Sequence, residues 1–249
     1  MVSGMVEMHI RRFGELDYQA AEAINTLCAN LSFIGGDFKK IMITSCHPQD
    51  GKSFVSMNLM RSLAALGLRV LLVDADIRAS ALKGTYGIDV SVPSGKKYLG
   101  LTGYLVGRCG ISDILGKTSI PGAYMILAGK TVSNSLSLFN SPKMEHLFNE
   151  LADDFDIILV DTPPVGALID AAQIATYCHG AMVVVRSGAT SNGELLRATQ
   201  QLEKTGCPLV GYVLNRAHEK SGSKKYYYYR GKAKTAKKLF AGWHSKGKK

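Results

Sequence analysis

Short, mainly apolar runs alternate along this chain with stretches in which apolar residues recur every three or four positions. The runs are residues 41–44, 68–73, 125–127, 157–160, 181–185 and 209–214, and their length suits strands buried on both faces of a parallel sheet. Between them, 18–31 (Ala20, Ala23, Ile24, Leu27, Leu31) and 52–66 (Val55, Leu59, Leu63, Leu66) carry helical spacing, and Gly67 supplies a stop. Further helices are predicted over 142–151, 170–177 and 194–204. Strand, helix and strand over 41–73 make a βαβ unit with a right-handed crossover. The alternation predicts an α/β fold with a mainly parallel central sheet flanked by helices. Residues 1–17 show no clear periodicity and are read as an N-terminal arm. Glycines from Gly84 to Gly110 break the next stretch into short helical pieces at 101–106 and 111–115 and a surface loop at 90–98, and 130–140 is polar and loop-like. Globular patterning ends after Asn215, so one domain over 18–216 precedes a tail of residues 217–249.

Composition adds a compartment and a charge asymmetry. At 249 residues, 46% of them hydrophobic, the chain can bury a full core. No apolar run approaches the roughly 20 residues of a membrane span, and no signal-type segment opens the chain, so a cytoplasmic protein is expected. Cys28, Cys46, Cys109, Cys178 and Cys207 are odd in number and lack Cys-x-x-Cys spacing, which argues against both a disulfide framework and a zinc site. Residues 217–249 hold 11 Lys and Arg against the single acidic Glu219, so the formal net charge of +10 resides in the tail and the body is balanced. Such a tail either meets an acidic surface or is simply a solvated extension.

Candidate chemistry centres on Ser45-Cys46-His47-Pro48-Gln49-Asp50-Gly51-Lys52-Ser53, between the first strand of the βαβ unit and its helix. In a P-loop, backbone N–H groups and a helix N-terminus cradle phosphates, a Lys reaches the outer phosphates and a Ser or Thr hydroxyl ligates magnesium. Gly51, Lys52 and Ser53 fit these roles, with Cys46 where the strict pattern has Gly. Two other strands end in Asp74-Ala75-Asp76-Ile77-Arg78 and in Asp161-Thr162-Pro163-Pro164. Ligands gather at the carboxyl ends of parallel strands, where Asp74, Asp76 and Asp161 can hold magnesium directly or through water; alternatively, each caps the next turn. Tyr226, Tyr227, Tyr228 and Tyr229 stand together in the basic tail. Four consecutive aromatics cannot all face a core, leaving a stacking platform for single-stranded nucleic acid or a cluster of phosphate acceptors.

Together these motifs resemble the bacterial tyrosine kinases of capsular and exopolysaccharide synthesis, over residues 22–229. The resemblance implies a P-loop NTPase fold related to the partitioning ATPases, ATP with magnesium as donor, and tail tyrosines Tyr226 to Tyr229 phosphorylated by neighbouring subunits. It assigns Pro48, Gln49, Asp50, Gly51, Lys52, Ser53 and Phe54 to the nucleotide cradle, Asn215 to the adenine, and Arg216 to its support. Lys52 would neutralise the transferring group, Asp74 would be the base, and Ser53, Asp76 and Asp161 would hold the metal or its waters. It also implies self-association, other protein substrates, and an activating cytosolic segment of a membrane-embedded partner, which would place the chain at the inner face of the cell membrane. Nucleic acid is not among the implied partners.

Three departures stand out. The family's Glu-x-x-Arg-x-x-Arg of the first helix, used in ring assembly, is Glu22, Asn25 and Cys28 here, which removes two bidentate arginines and points to a weaker or differently built assembly. Pro-Gly-Glu-Gly of the phosphate loop is Pro48-Gln49-Asp50-Gly51, and the Lys-Pro after Arg78 is Ala79-Ser80. The competing reading is a partitioning or positioning ATPase that binds DNA or membrane through its basic tail; such proteins carry a signature Lys where this chain has His47. A nucleotide-binding regulator without catalysis is a third.

Overall fold

The computed structural model describes residues 5–35, 38–166 and 169–217. In chain order the elements are β1 (Val6–Ile10), α1 (Tyr18–Ile34), β2 (Lys40–Ser45), α2 (Lys52–Ala65), β3 (Val70–Asp74), α3 (Leu82–Tyr86), β4 (Ile88–Ser91), α4 (Gly100–Leu105), β5 (Gly116–Thr118), β6 (Ala123–Ile126), α5 (Ser135–Phe139), α6 (Pro142–Ala152), β7 (Ile157–Asp161), α7 (Ile169–Ala175), β8 (Gly180–Arg186), α8 (Asn192–Glu203) and β9 (Leu209–Asn215). The strands form one sheet in the order β4-β1-β5-β6-β3-β7-β2-β8-β9. Pairings are parallel except β1 with β4 and β5 with β6, so the expected α/β architecture holds.

Successive strand residues point to opposite faces, and the two cores follow. Ile41, Ile43, Leu72 and Leu159 pack with Ile24 and Leu31 of α1 and with Val55, Leu59 and Leu63 of α2. Met42, Leu71, Val73, Ile158 and Val160 face the other way, onto Leu147 and Leu151 of α6, Ile174 of α7 and Leu202 of α8. Every residue of β3 and of β7 is buried, which explains why these strands read as continuous apolar runs.

Three expectations need correction. Within the supposed arm at 1–17, residues 6–10 are a strand, β1, whose Val6, Met8 and Ile10 are buried while Glu7 and His9 are exposed; the ordered domain therefore starts well before residue 18. Its outermost neighbour β4 takes the first residues of the supposed loop at 90–98. Inside the polar stretch 130–140 lies α5, with Ser135 and Phe139 buried.

Candidate active site

The phosphate loop is shaped by its own polar groups. The Ser45 hydroxyl donates to the His47 carbonyl (2.7 Å), and the His47 N–H donates to the Asp50 carboxylate (2.9 Å). Gln49 and Gly51 take φ of 64° and 102°, the left-handed region that turns successive N–H groups inward. Gly51 precedes α2, whose first turn has no side-chain cap; its free N–H groups and dipole suit an anion. A Cβ on Gly51 would lie 1.9 Å from Asn215 Nδ2, because that amide donates to the Asp50 carbonyl at 2.9 Å. Asn215 thus comes from the end of β9 to the loop, and Arg216, exposed beside it, donates its N–H to the Asn215 side-chain oxygen. Asp50 is buried with its carboxylate turned to its own loop, so it shapes the cradle. Pro48, Gln49 and Phe54 are exposed around it.

The carboxylates converge as the strand ends suggested. β3 and β7 lie side by side with Asp74 opposite Asp161, each 1% exposed. The Ser53 hydroxyl donates to Asp161 Oδ2 at 2.6 Å, and that of Ser56 to Oδ1 at 3.3 Å. Lys52 is nearly buried and its charge favours the ionised Asp161. Burial, partly countered by Lys52, pushes Asp161 up to about 6; burial and the charge of Asp161 push Asp74 up to about 8. Asp76 is half-buried, and its carboxylate accepts from the Ala79 N–H at 3.0 Å. Two interior carboxylates, a third at the rim and the Ser53 hydroxyl bring oxygens of the kind a divalent cation takes to one place, and the Lys52 ammonium beside Asp161 offers its charge to phosphate. Among the described residues no group of three or more His, Cys, Asp or Glu side chains could by itself hold a metal ion.

Sequence reasoning missed four partners. Ser80, noted only as a departure, donates its hydroxyl to Asp74. Arg78 donates from Nε to the fully buried Asp170 (2.5 Å), which also accepts from the Ser135 hydroxyl (2.6 Å). His47 pairs with Glu194 across 3.2 Å. These contacts span 35 to 147 positions or sit in an unmarked turn; the only local signal was the Ser191 to Glu194 capping box.

With that geometry in place, comparison with known proteins identifies the family. A model of an AAA domain matches residues 38–206. The tyrosine-protein kinase CpsD of Streptococcus agalactiae is 33% identical over 198 residues, 80% of this chain and 84% of that protein. The chain belongs to the bacterial tyrosine kinases of capsule and exopolysaccharide synthesis. Among solved structures, the kinase domain of Escherichia coli tyrosine kinase ETK superposes on the kinase with a TM-score of 0.71 at 28% identity, over 81% of this chain and 78% of that one. The chimerical protein CapA2B2 gives 0.74 at 25%, over 85% and 93%. The septum site-determining protein MinD of Pyrococcus horikoshii shares the fold at 22% identity, with a TM-score of 0.60 over 81% and 76%. A P-loop fold related to MinD is thus as the motifs implied. In the kinase, Glu22 and Asn25 are exposed on α1 but Cys28 is 2% exposed, so the third position of the family's arginine motif is core here. Tyr226 to Tyr229 lie outside the described residues. No helix among the described residues is long and apolar enough to cross a membrane.

Proposed function

We propose that the kinase transfers a phosphoryl group from ATP, held with magnesium, to Tyr226, Tyr227, Tyr228 and Tyr229 of a neighbouring copy, and that this regulates polysaccharide synthesis and export. The observation that carries the reading is the hydrogen bond from Ser53 to Asp161 with Asp74 aligned beside it on the adjoining strand. Magnesium, when bound, would supply charge neutralisation at the phosphates. Ser53, Asp161 and Asp76 hold the ion or its waters, and the loop from Pro48 to Phe54 wraps the phosphates through backbone N–H groups. Lys52 offsets the charge on the transferring group, where most of the catalytic effect resides in a loose transition state. Asn215 braces the loop and, with Arg216, borders the base. Asp74 takes the tyrosine proton as the phenolic oxygen bonds to phosphorus and the bond to the departing ADP oxygen breaks. Its raised proton affinity suits that acceptance, since a tyrosine hydroxyl ordinarily ionises near ~10.

An activating cytosolic segment from a membrane-embedded protein completes the reading, and a tail carrying +10 favours the anionic inner face of the membrane, where each basic residue contributes about 1 kcal/mol. Four phosphates would add roughly −6 to −8 charges at −1.5 to −2 each, nearly cancelling the tail and releasing it. The competing ATPase reading rests on the fold shared with MinD; at position 47, where such ATPases carry their signature Lys, His47 is engaged with Glu194 of its own chain. Incubation with labelled ATP and magnesium, with mass-spectrometric mapping, tests the proposal: label on Tyr226 to Tyr229 that is absent in Lys52→Met supports it, whereas ATP hydrolysis with unlabelled tyrosines overturns it.

A further inference from the structure

A cleft of about 1130 Å³ has Asp74 and Asp76 in its lining, and none of residues 46–54 belongs to its walls. Four cations, Lys83, Lys97, Arg108 and Lys130, line the rest. All four are exposed, and none of their side chains forms an ion pair or hydrogen bond among the described residues. They come from α3, the segment before α4, the turn after it and the loop after β6, so four separate stretches of chain bring positive charge to one hollow. Leu99 and Val106 give it apolar wall, Val106 being 49% exposed, and hydroxyls of Thr131 and Ser133 line it too. Cations around an apolar wall, with the candidate base in the same lining, match an aromatic side chain carried on an anionic peptide.

We propose that this cleft docks the acceptor and selects tyrosines with anionic neighbours, either Asp and Glu or a phosphotyrosine already made. The proposal rests on the kinase reading above and adds its acceptor specificity. The unmodified tail is a poor occupant: Lys224 and Lys225 precede its tyrosines and Arg230 and Lys232 follow, so like charges meet. One phosphate, bringing about −1.5 to −2 charges, converts the same segment into a ligand. Phosphorylation of the tyrosine run therefore accelerates after the first event, and foreign acidic segments compete with the tail from the start.

The test is fluorescence anisotropy on the full chain with three labelled peptides: residues 224–232 unmodified, the same with phosphate on Tyr227, and an equally long peptide with Glu flanking one Tyr. The two anionic peptides should bind roughly tenfold more tightly than the unmodified one, the order set by two or three exposed charge pairs, and Lys83→Glu/Lys97→Glu and Arg108→Glu/Lys130→Glu should each abolish that advantage. Lys83→Gln/Lys97→Gln, checked for unchanged melting temperature, guards against damage from the charge reversal and should reduce it. Free phosphotyrosine as competitor separates recognition of the phosphate alone from recognition of the peptide. Equal binding of all peptides, or tightest binding of the unmodified one, overturns the inference. Phosphotransfer without peptide preference sinks the cleft assignment alone, whereas preferential binding without transfer from ATP to any tyrosine sinks the kinase reading and leaves the cleft standing.

Discussion

Removing Arg78 isolates a charge in the interior. Asp170 is fully buried, and its carboxylate is held by Arg78 Nε at 2.5 Å, by Arg78 Nη2 at 3.4 Å and by the Ser135 hydroxyl at 2.6 Å. In Arg78→Met the volume is roughly kept but Asp170 retains only the serine. Breaking a buried pair by removing one member costs about 3–5 kcal/mol. The Arg78 side chain is 33% exposed, so water screens the pair in part and the lower end, about 3 kcal/mol, applies. At roughly 2–4 °C per kcal/mol for a domain of this size, the melting temperature should fall by roughly 6–12 °C. The double variant Arg78→Met/Asp170→Asn should recover part of the loss, giving a coupling of about 1–3 kcal/mol. Urea unfolding of the two single variants and the double variant, followed by circular dichroism, measures it. Additive losses, or an Arg78→Met protein as stable as the parent, would refute the claim that this pair clamps α5 and α7 to the end of β3.

Other outcomes follow from single positions. Gly51→Ala should abolish measurable binding of a fluorescent ATP analogue while leaving the fold intact by circular dichroism, because its backbone is left-handed and the new methyl would strike the Asn215 amide. Ser191→Ala should cost about 1 kcal/mol, or roughly 2–4 °C in calorimetry, since its hydroxyl caps α8 through the Glu194 N–H. At pH 8, Cys109 should be the first thiol to react with a disulfide reagent: burial pushes Cys28 up to about 12 and Cys46 and Cys207 up to about 11, so their thiolate fractions at that pH are minute, and Cys109 alone of the five is not buried. Mass mapping of the first adduct decides this.

What the sequence disclosed depended on how local each signal was. β2, β3 and β7 are covered on both faces and read directly as apolar runs, and Asp74 and Asp161 follow such runs immediately. β1 alternates over only five residues, and its partners β4 and β5 span four and three residues, too short for periodicity to speak. Gly51, Lys52 and Ser53 were legible because a phosphate loop is contiguous. Asp170 was not, since its tie to Arg78 crosses 92 positions and only packing of α7 against α5 brings them together. Ser80 looked like a loss relative to the family until the turn after β3 placed its hydroxyl on Asp74.

The central claim is that one copy's phosphate loop and carboxylates act on another copy's tail, and a mixing experiment reaches it directly. Protein lacking residues 217–249 supplies the site but no tail tyrosines, and Lys52→Met supplies the tail but no competent site. Incubated together with labelled ATP and magnesium, the pair should place label on Tyr226 to Tyr229 of the Lys52→Met chain, while either alone stays unlabelled there. A mixture without tail label, from proteins whose full-length parent labels its own tail, would contradict the account.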